Sequence, residues 1–194
     1  IVLTNLITYG MDGKPVAKYN AYLDGEAIRK ADGGYLIENQ VGFEKYFASK
    51  KDGRRLSSLR EGYAMAEWLQ DSKNPAFDGL IKDMQESWLC TGTKIDYKNN
   101  RITHPGFDPI KCTIPMGSYW LDEVIKKKEW QKALQALFGP KDVRELPETL
   151  RLISGKRPYI WPPDAAGRIS HPERAVWLYI NADRFNLICY YNPI

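Results

Sequence analysis

Arg157, Tyr159 and Trp161 stand at alternate positions in the run Lys156-Arg157-Pro158-Tyr159-Ile160-Trp161-Pro162-Pro163-Asp164. Proline fixes φ and lacks an N–H, so such a segment stays extended, and an extended backbone sends alternate side chains to one side. The three could therefore share a face. Arg168, His171 and Arg174 follow at intervals of three, a spacing at which a turn or helix-like bend would make them converge. Arginine offers a planar donor fork for phosphate or carboxylate, and Trp or Tyr a face on which a ring can stack. His171 could supply a switchable charge or act as acid or base. Arg157, Tyr159, Trp161, Arg168 and Arg174 are thus the candidate binding residues, for an anion attached to a flat group, and His171 is the candidate catalytic residue. The plain alternative is structural: Trp161 plugged into the core, arginines capping nearby carbonyls or neutralised by Asp164 or Glu173.

The rest of the chain carries little recognisable chemistry. It holds no G-x-x-x-x-G-K-[ST] loop, no G-x-G-x-x-G after a strand, no H-E-x-x-H, no G-x-S-x-G and no EF-hand loop. Two histidines exclude multi-histidine metal sites, while a carboxylate site stays open. Cys90, Cys112 and Cys189 are far apart and form no C-x-x-C pair, which leaves zinc or a redox couple without local support. Buried free thiols in a reducing compartment are the simplest account, with one disulfide and a spare thiol as the alternative. A Ser-His-Asp or Cys-His set is arithmetically available, but no spacing favours it. No cofactor and no metal are expected.

Composition bounds the class. At 194 residues, 43% hydrophobic and 27% charged, the chain fits one globular domain spanning 1–194. Six Trp and twelve Tyr suit a well-packed core or a recognition surface. A net charge of +4 could help contact phosphate or an acidic partner but does not diagnose nucleic-acid binding. No apolar run of about 18 residues occurs, so no membrane span is expected. No signal peptide opens the sequence, which points to the cytoplasm. Residue 1 is Ile, however, and both ends look cut, so a trimmed N-terminus or a fragment of a longer chain is also expected.

The elements that would position these residues can be read in order. Ile1–Tyr9 and Val16–Leu23 read as strands around the Asp12-Gly13 turn, the second with Ala17, Tyr19, Ala21 and Leu23 on its apolar face. Further Asp-Gly pairs at 24–25, 32–33 and 52–53 suggest an N-terminal meander running on through EAIRKA and YLIEN. Val41–Ser49 reads as a short helix. Lys50, Lys51, Arg54 and Arg55 then make a basic loop, either an anion contact or a solvated turn. Ser58-x-x-Glu61 has the form of a capping box, and Asn74-Pro75 starts a second helix that packs on the first. Thr93–Tyr97 and Arg101–His104 flank an Asn-rich turn, and Ile110–Ile114 adds a strand. One long helix is predicted over Tyr119–Phe138, capped by Ser118 and stopped by Gly139-Pro140, and a shorter one over Pro147–Ile153. Lys156–Arg174 reads as a proline-braced loop. Ala175–Ile180 and Phe185–Tyr191 read as a hairpin of core strands, the first apolar on both faces and so central in its sheet.

The expected fold is α+β: an antiparallel sheet made of the N-terminal meander and the C-terminal hairpin, with helices packed on one face. The expected function is a binding module that contacts a phosphate-bearing partner, nucleic acid or nucleotide, through basic and aromatic loops. One alternative is an enzyme on a small anionic substrate, with Arg157, Arg168 and Arg174 holding the anion and His171 as acid–base. Another is a protein–protein interaction domain of a larger assembly.

Overall fold

The computed structural model describes residues 2–22, 40–86 and 89–190. The segments EAIRKA and YLIEN, with the Asp24-Gly25 and Asp32-Gly33 turns, lie outside the described residues. In chain order the elements begin with β1 (Val2–Tyr9), β2 (Pro15–Tyr22), α1 (Gln40–Lys50), α2 (Leu59–Asp71) and α3 (Ala76–Glu86). Then come β3 (Leu89–Asp96), β4 (Arg101–Thr103), β5 (Ile110–Lys111), β6 (Tyr119–Trp120), α4 (Leu121–Val124) and α5 (Lys128–Phe138). The chain closes with α6 (Leu146–Ser154), β7 (Arg157–Trp161), α7 (Ala165–Ser170), β8 (Glu173–Ile180) and β9 (Arg184–Tyr190).

The fold is α+β, and the C-terminal hairpin is its centre. Seven strands lie in the order β5-β4-β3-β8-β9-β7-β6, so β8 is the middle strand. Every neighbouring pair is antiparallel except β7 and β9, which run parallel. Along β8 and β9 the residues Val176, Leu178, Ile180, Phe185, Leu187 and Cys189 face the core, joined by Ile160, Ile95 and Ile102 from neighbouring strands. Against that face pack Leu59 and Tyr63 of α2, Met84 of α3, Leu121 of α4, Trp130 and Leu134 of α5, and Leu150 of α6. Helix α1 is the exception. Its Glu44 pairs at 2.9 Å with Lys94, which is exposed next to core-facing Ile95 and so leaves the sheet on the other side.

The N-terminal strands pair with each other as a separate two-stranded sheet. Their apolar face explains why: Leu3 and Leu6 are buried on Met65 and Leu69 of α2. Beyond that, the Tyr9 N–H donates to Gly139 O at 3.1 Å. Gly139 ends α5 in the left-handed region with φ +57, where a Cβ would stand 2.8 Å from Tyr9 O. Only glycine meets both demands.

Arg60 completes this junction. It is 2% exposed, and its guanidinium donates to Ala136 O at 3.1 Å, Gln135 O at 2.9 Å and Tyr9 O at 3.0 Å. The first two are carbonyls in the last turn of α5, at the negative end of the helix dipole, and Gln135 O also accepts the capping Gly139 N–H at 2.9 Å. His104 reaches the same place. Its Nε2–H donates to Ala136 O at 2.9 Å, and its Nδ1 accepts from the Thr93 hydroxyl at 2.9 Å. A carbonyl can only accept, so this pairing fixes the neutral tautomer. Thr93 Oγ1 in turn accepts the Leu59 N–H at 2.8 Å. The Ser58/Glu61 capping box forms as the sequence indicates.

Two stretches depart from their sequence reading. The long helix expected over Tyr119–Phe138 is broken: Tyr119 and Trp120 are extended and pair with Ile160 and Tyr159, and α5 starts only at Lys128. Strand pairing and ring packing override local helix propensity here. The loop expected over Lys156–Arg174 contains a strand and a helix. β7 fills the place beside β9, and Asp164 caps α7 by accepting the Gly167 N–H at 2.7 Å.

Candidate functional site

The strand β7 places Arg157, Tyr159 and Trp161 on the face of the sheet turned away from the core, because Pro158 and Ile160 between them are buried. Register carries this face sideways. Arg157, Tyr159 and Trp161 pair with Arg184, Asn186 and Ile188 of β9, and paired residues point the same way. Trp120 of β6 pairs with Tyr159 from the other side.

The rings form a continuous strip. Trp120 and Tyr159 meet edge-on with centroids 4.8 Å apart, and Tyr159 and Trp161 at 5.0 Å. Arg157 lies over the Trp120 ring at 4.3 Å, and Arg184 lies 5.2 Å from Tyr159 and 5.5 Å from Trp120. At the far end the Trp161 indole N–H donates to Asn186 Oδ1 at 3.1 Å, which holds that ring's orientation although Trp161 is 39% exposed.

The cations of this face are paired. Arg157 donates to both Asp122 and Glu123, with Nη2 2.9 Å from Asp122 Oδ2 and 2.8 Å from Glu123 Oε1. Arg184 pairs with Asp183 at 2.8 Å. These carboxylates raise the affinity of both guanidiniums for their protons, though all partners stand well exposed, so the pairs are weak.

Arg168, His171 and Arg174 form a second group around α7. Arg168 lies over the Tyr97 ring at 4.3 Å and donates to Pro163 O at 3.1 Å, Ile114 O at 2.7 Å and Pro115 O at 2.8 Å. Burial lowers its proton affinity, and its contacts tie two segments of backbone together, at Ile114–Pro115 and at Pro163. The His171 N–H and Arg174 Nη2 both donate to Gly167 O, at 3.1 and 2.8 Å. The six candidates thus divide into a strip on the outer face of β7 and a set of backbone contacts at the end of α7. The strip sets its three rings at steep angles to one another, with Trp161 exposed at one end and two carboxylate-paired guanidiniums over the other two rings.

Three members of the strip escaped the sequence reading. Trp120 was concealed inside an expected helix, and Arg184 inside an expected turn. Asn186 carried a signal: Arg184 and Asn186 alternate with Phe185 and Leu187, the polar–apolar period of a strand with one outward face.

The cysteines are chemically quiet. All three are free and buried, and burial pushes the thiols of Cys90 and Cys189 up to about 12 and about 11. Among the described residues no group of His, Cys, Asp and Glu could hold a metal ion. No helix among them is long and apolar enough to cross a membrane.

Fold and site together define an α+β protein with an aromatic and arginine-rich outer sheet face. No protein-family model, curated protein or solved structure matches the chain.

Proposed function

We propose that the chain is a non-catalytic binding module for single-stranded nucleic acid. In this reading bases stack on the Trp120–Tyr159–Trp161 strip while Arg157 and Arg184 reach phosphates. The observation that carries it is the strip itself, three aromatic rings in series on one outward sheet face, two half-buried and Trp161 exposed, with two guanidiniums laid against them. A base stacked on an aromatic side chain gains about 1–3 kcal/mol whatever its identity. An unstacked strand can offer single bases to rings set at steep angles to one another, whereas a duplex hides them.

The acidic partners of Arg157 and Arg184 fit this reading if stacking dominates. Exposed ion pairs are worth about 0–1 kcal/mol, so a phosphate oxygen can replace a carboxylate at little cost. The salt dependence should then be shallow, since few counterions are released net.

Fluorescence anisotropy with a labelled ten-nucleotide oligothymidylate and its duplex with oligoadenylate tests the proposal at low ionic strength. The single strand should bind more tightly than the duplex, and Tyr159→Ala should weaken it about tenfold, as expected for one lost stack. No association with single-stranded DNA or RNA at low salt would overturn it.

A further inference from the structure

An open cleft of about 1230 Å³ lies between the N-terminal hairpin, the loop joining α1 to α2 and the loop between β4 and β5. It is built from elements other than those of the aromatic strip, and it contains the basic loop that sheet-face binding leaves unused. Its volume exceeds the few hundred to about 1,000 Å³ of ordinary small-molecule sites.

Three features of its lining set the chemistry of an occupant. Phe47 from α1, Phe107 from the β4–β5 loop, and Met11, Val16 and Ile110 give it apolar walls that include two flat rings. Arg55 crosses the cleft beside Gly106. Its Nη1 donates to Glu61 and Leu56 O, and its Nη2 donates once, to Glu61. The Nε–H and the second N–H of Nη2 have no partner among the described residues, and the Arg55 side chain is 47% exposed. Both point to accessible space, where they can donate to an acceptor in place of water. Charge is the third feature. Arg54 pairs with Asp52 and Arg55 with Glu61, and the exposed carboxylate of Asp108 faces a lining that also includes the buried cation of Arg60. The formal charges of these six groups cancel, so neither an anion nor a cation gains a net attraction.

We infer that this cleft is a second binding site, for a small neutral planar molecule that carries an amide or carbonyl acceptor. Its ring lies against the Phe47 and Phe107 walls, and its oxygen accepts from Arg55. The site is independent of the sheet face.

Three probes of one shape test it. Benzamide, benzoate and benzamidine share a ring and differ in charge: neutral, negative and positive. Saturation-transfer NMR on the full chain should rank benzamide first, with a dissociation constant in the millimolar range, as expected for so few atoms. Val16→Trp places a ring at a rim position 56% exposed in the native chain and should weaken benzamide at least fivefold by filling the cleft. Arg55→Lys keeps the charge opposite Glu61, removes the planar fork and should weaken it severalfold. Oligothymidylate binding should stay the same in both. No benzamide signal at about 10 mM, a stronger signal for either charged probe, or undiminished binding in either folded variant would overturn the inference.

Discussion

Around Arg60 the guanidinium meets only backbone carbonyls, from Tyr9, Gln135 and Ala136, and the side chain is sealed from solvent. Around Arg157 it meets two exposed carboxylates and the face of an indole. The first arrangement uses the carbonyl acceptors at the negative dipole end of α5 to hold a charge that has no carboxylate in hydrogen-bonding contact. Burial pulls its proton affinity down to about 10, still far above neutrality, so the charge persists. The second arrangement holds a charge loosely among partners that water already solvates. The buried arginine is structure. The exposed one can change partners without disturbing the fold, which is what a binding surface requires.

Removing each arginine breaks or sharpens that contrast. Arg60→Met leaves three carbonyls short of a charged donor, two of them in the interior. Hydrogen bonds to a charged group contribute about 1.5–3 kcal/mol each, non-additively, so the loss in urea unfolding should be at least about 3 kcal/mol. That is a large share of the roughly 5–15 kcal/mol that holds a typical domain folded. Arg157→Ala should change stability by less than about 1 kcal/mol. Equal losses in the two variants would dissolve the distinction.

His104 tests the same buried junction through pH. Burial lowers its pKa from 6.5 to about 4, because the charged ring would lose its hydration and stand near the Arg60 cation, which outweighs the help of Ala136 O and Glu61. In the unfolded chain the ring protonates near 6.5. Between those values the unfolded state binds the extra proton, so stability rises with pH there and falls as pH drops from 6.5 toward 4. At about 1.4 kcal/mol per pH unit the full change is about 3 kcal/mol. Glu67 works the other way, since burial raises its carboxyl and its contribution improves as pH falls. The readout is therefore the difference between the native chain and His104→Gln across pH 7 to 4. The variant should be less stable at pH 7 and should have lost the histidine part of the slope. Identical slopes would place the His104 proton elsewhere.

The two regions were not equally legible in the sequence. Hairpin β8–β9, the capping box at Ser58 and the glycine stop at Gly139 are written in local patterns of apolar period and cap chemistry, and they formed where the patterns lie. The alternation of Arg157, Tyr159 and Trp161 was readable for the same reason. What sequence could not give was partnership at a distance. Trp120 leaves a helical pattern because Tyr159, far along the chain, offers it a strand and a ring. The N-terminal hairpin leaves the large sheet because α2 offers a closer apolar face. Arg168 looked like an anion ligand and became a bolt for three carbonyls, because Ile114, Pro115 and Pro163 lie within its reach. In each case residue type set what a side chain could do, and a tertiary neighbour chose among the options.

The smallest expected effect bears most directly on the proposed use of the face. Asp122→Asn with Glu123→Gln removes the two charges that occupy Arg157 while keeping the size of each side chain. The pairs are exposed, with side chains 40–57% accessible, so the double variant should unfold within about 1 kcal/mol of the native chain. Its guanidinium, still over Trp120, would meet a phosphate without competition. Oligothymidylate should then bind about threefold more tightly at low salt. The plot of log affinity against log salt should steepen by about 0.7 for each phosphate newly contacted. Unchanged affinity and slope would mean that Arg157 braces the Trp120 ring without touching the ligand, and only Arg184 would remain as the cation of the strip.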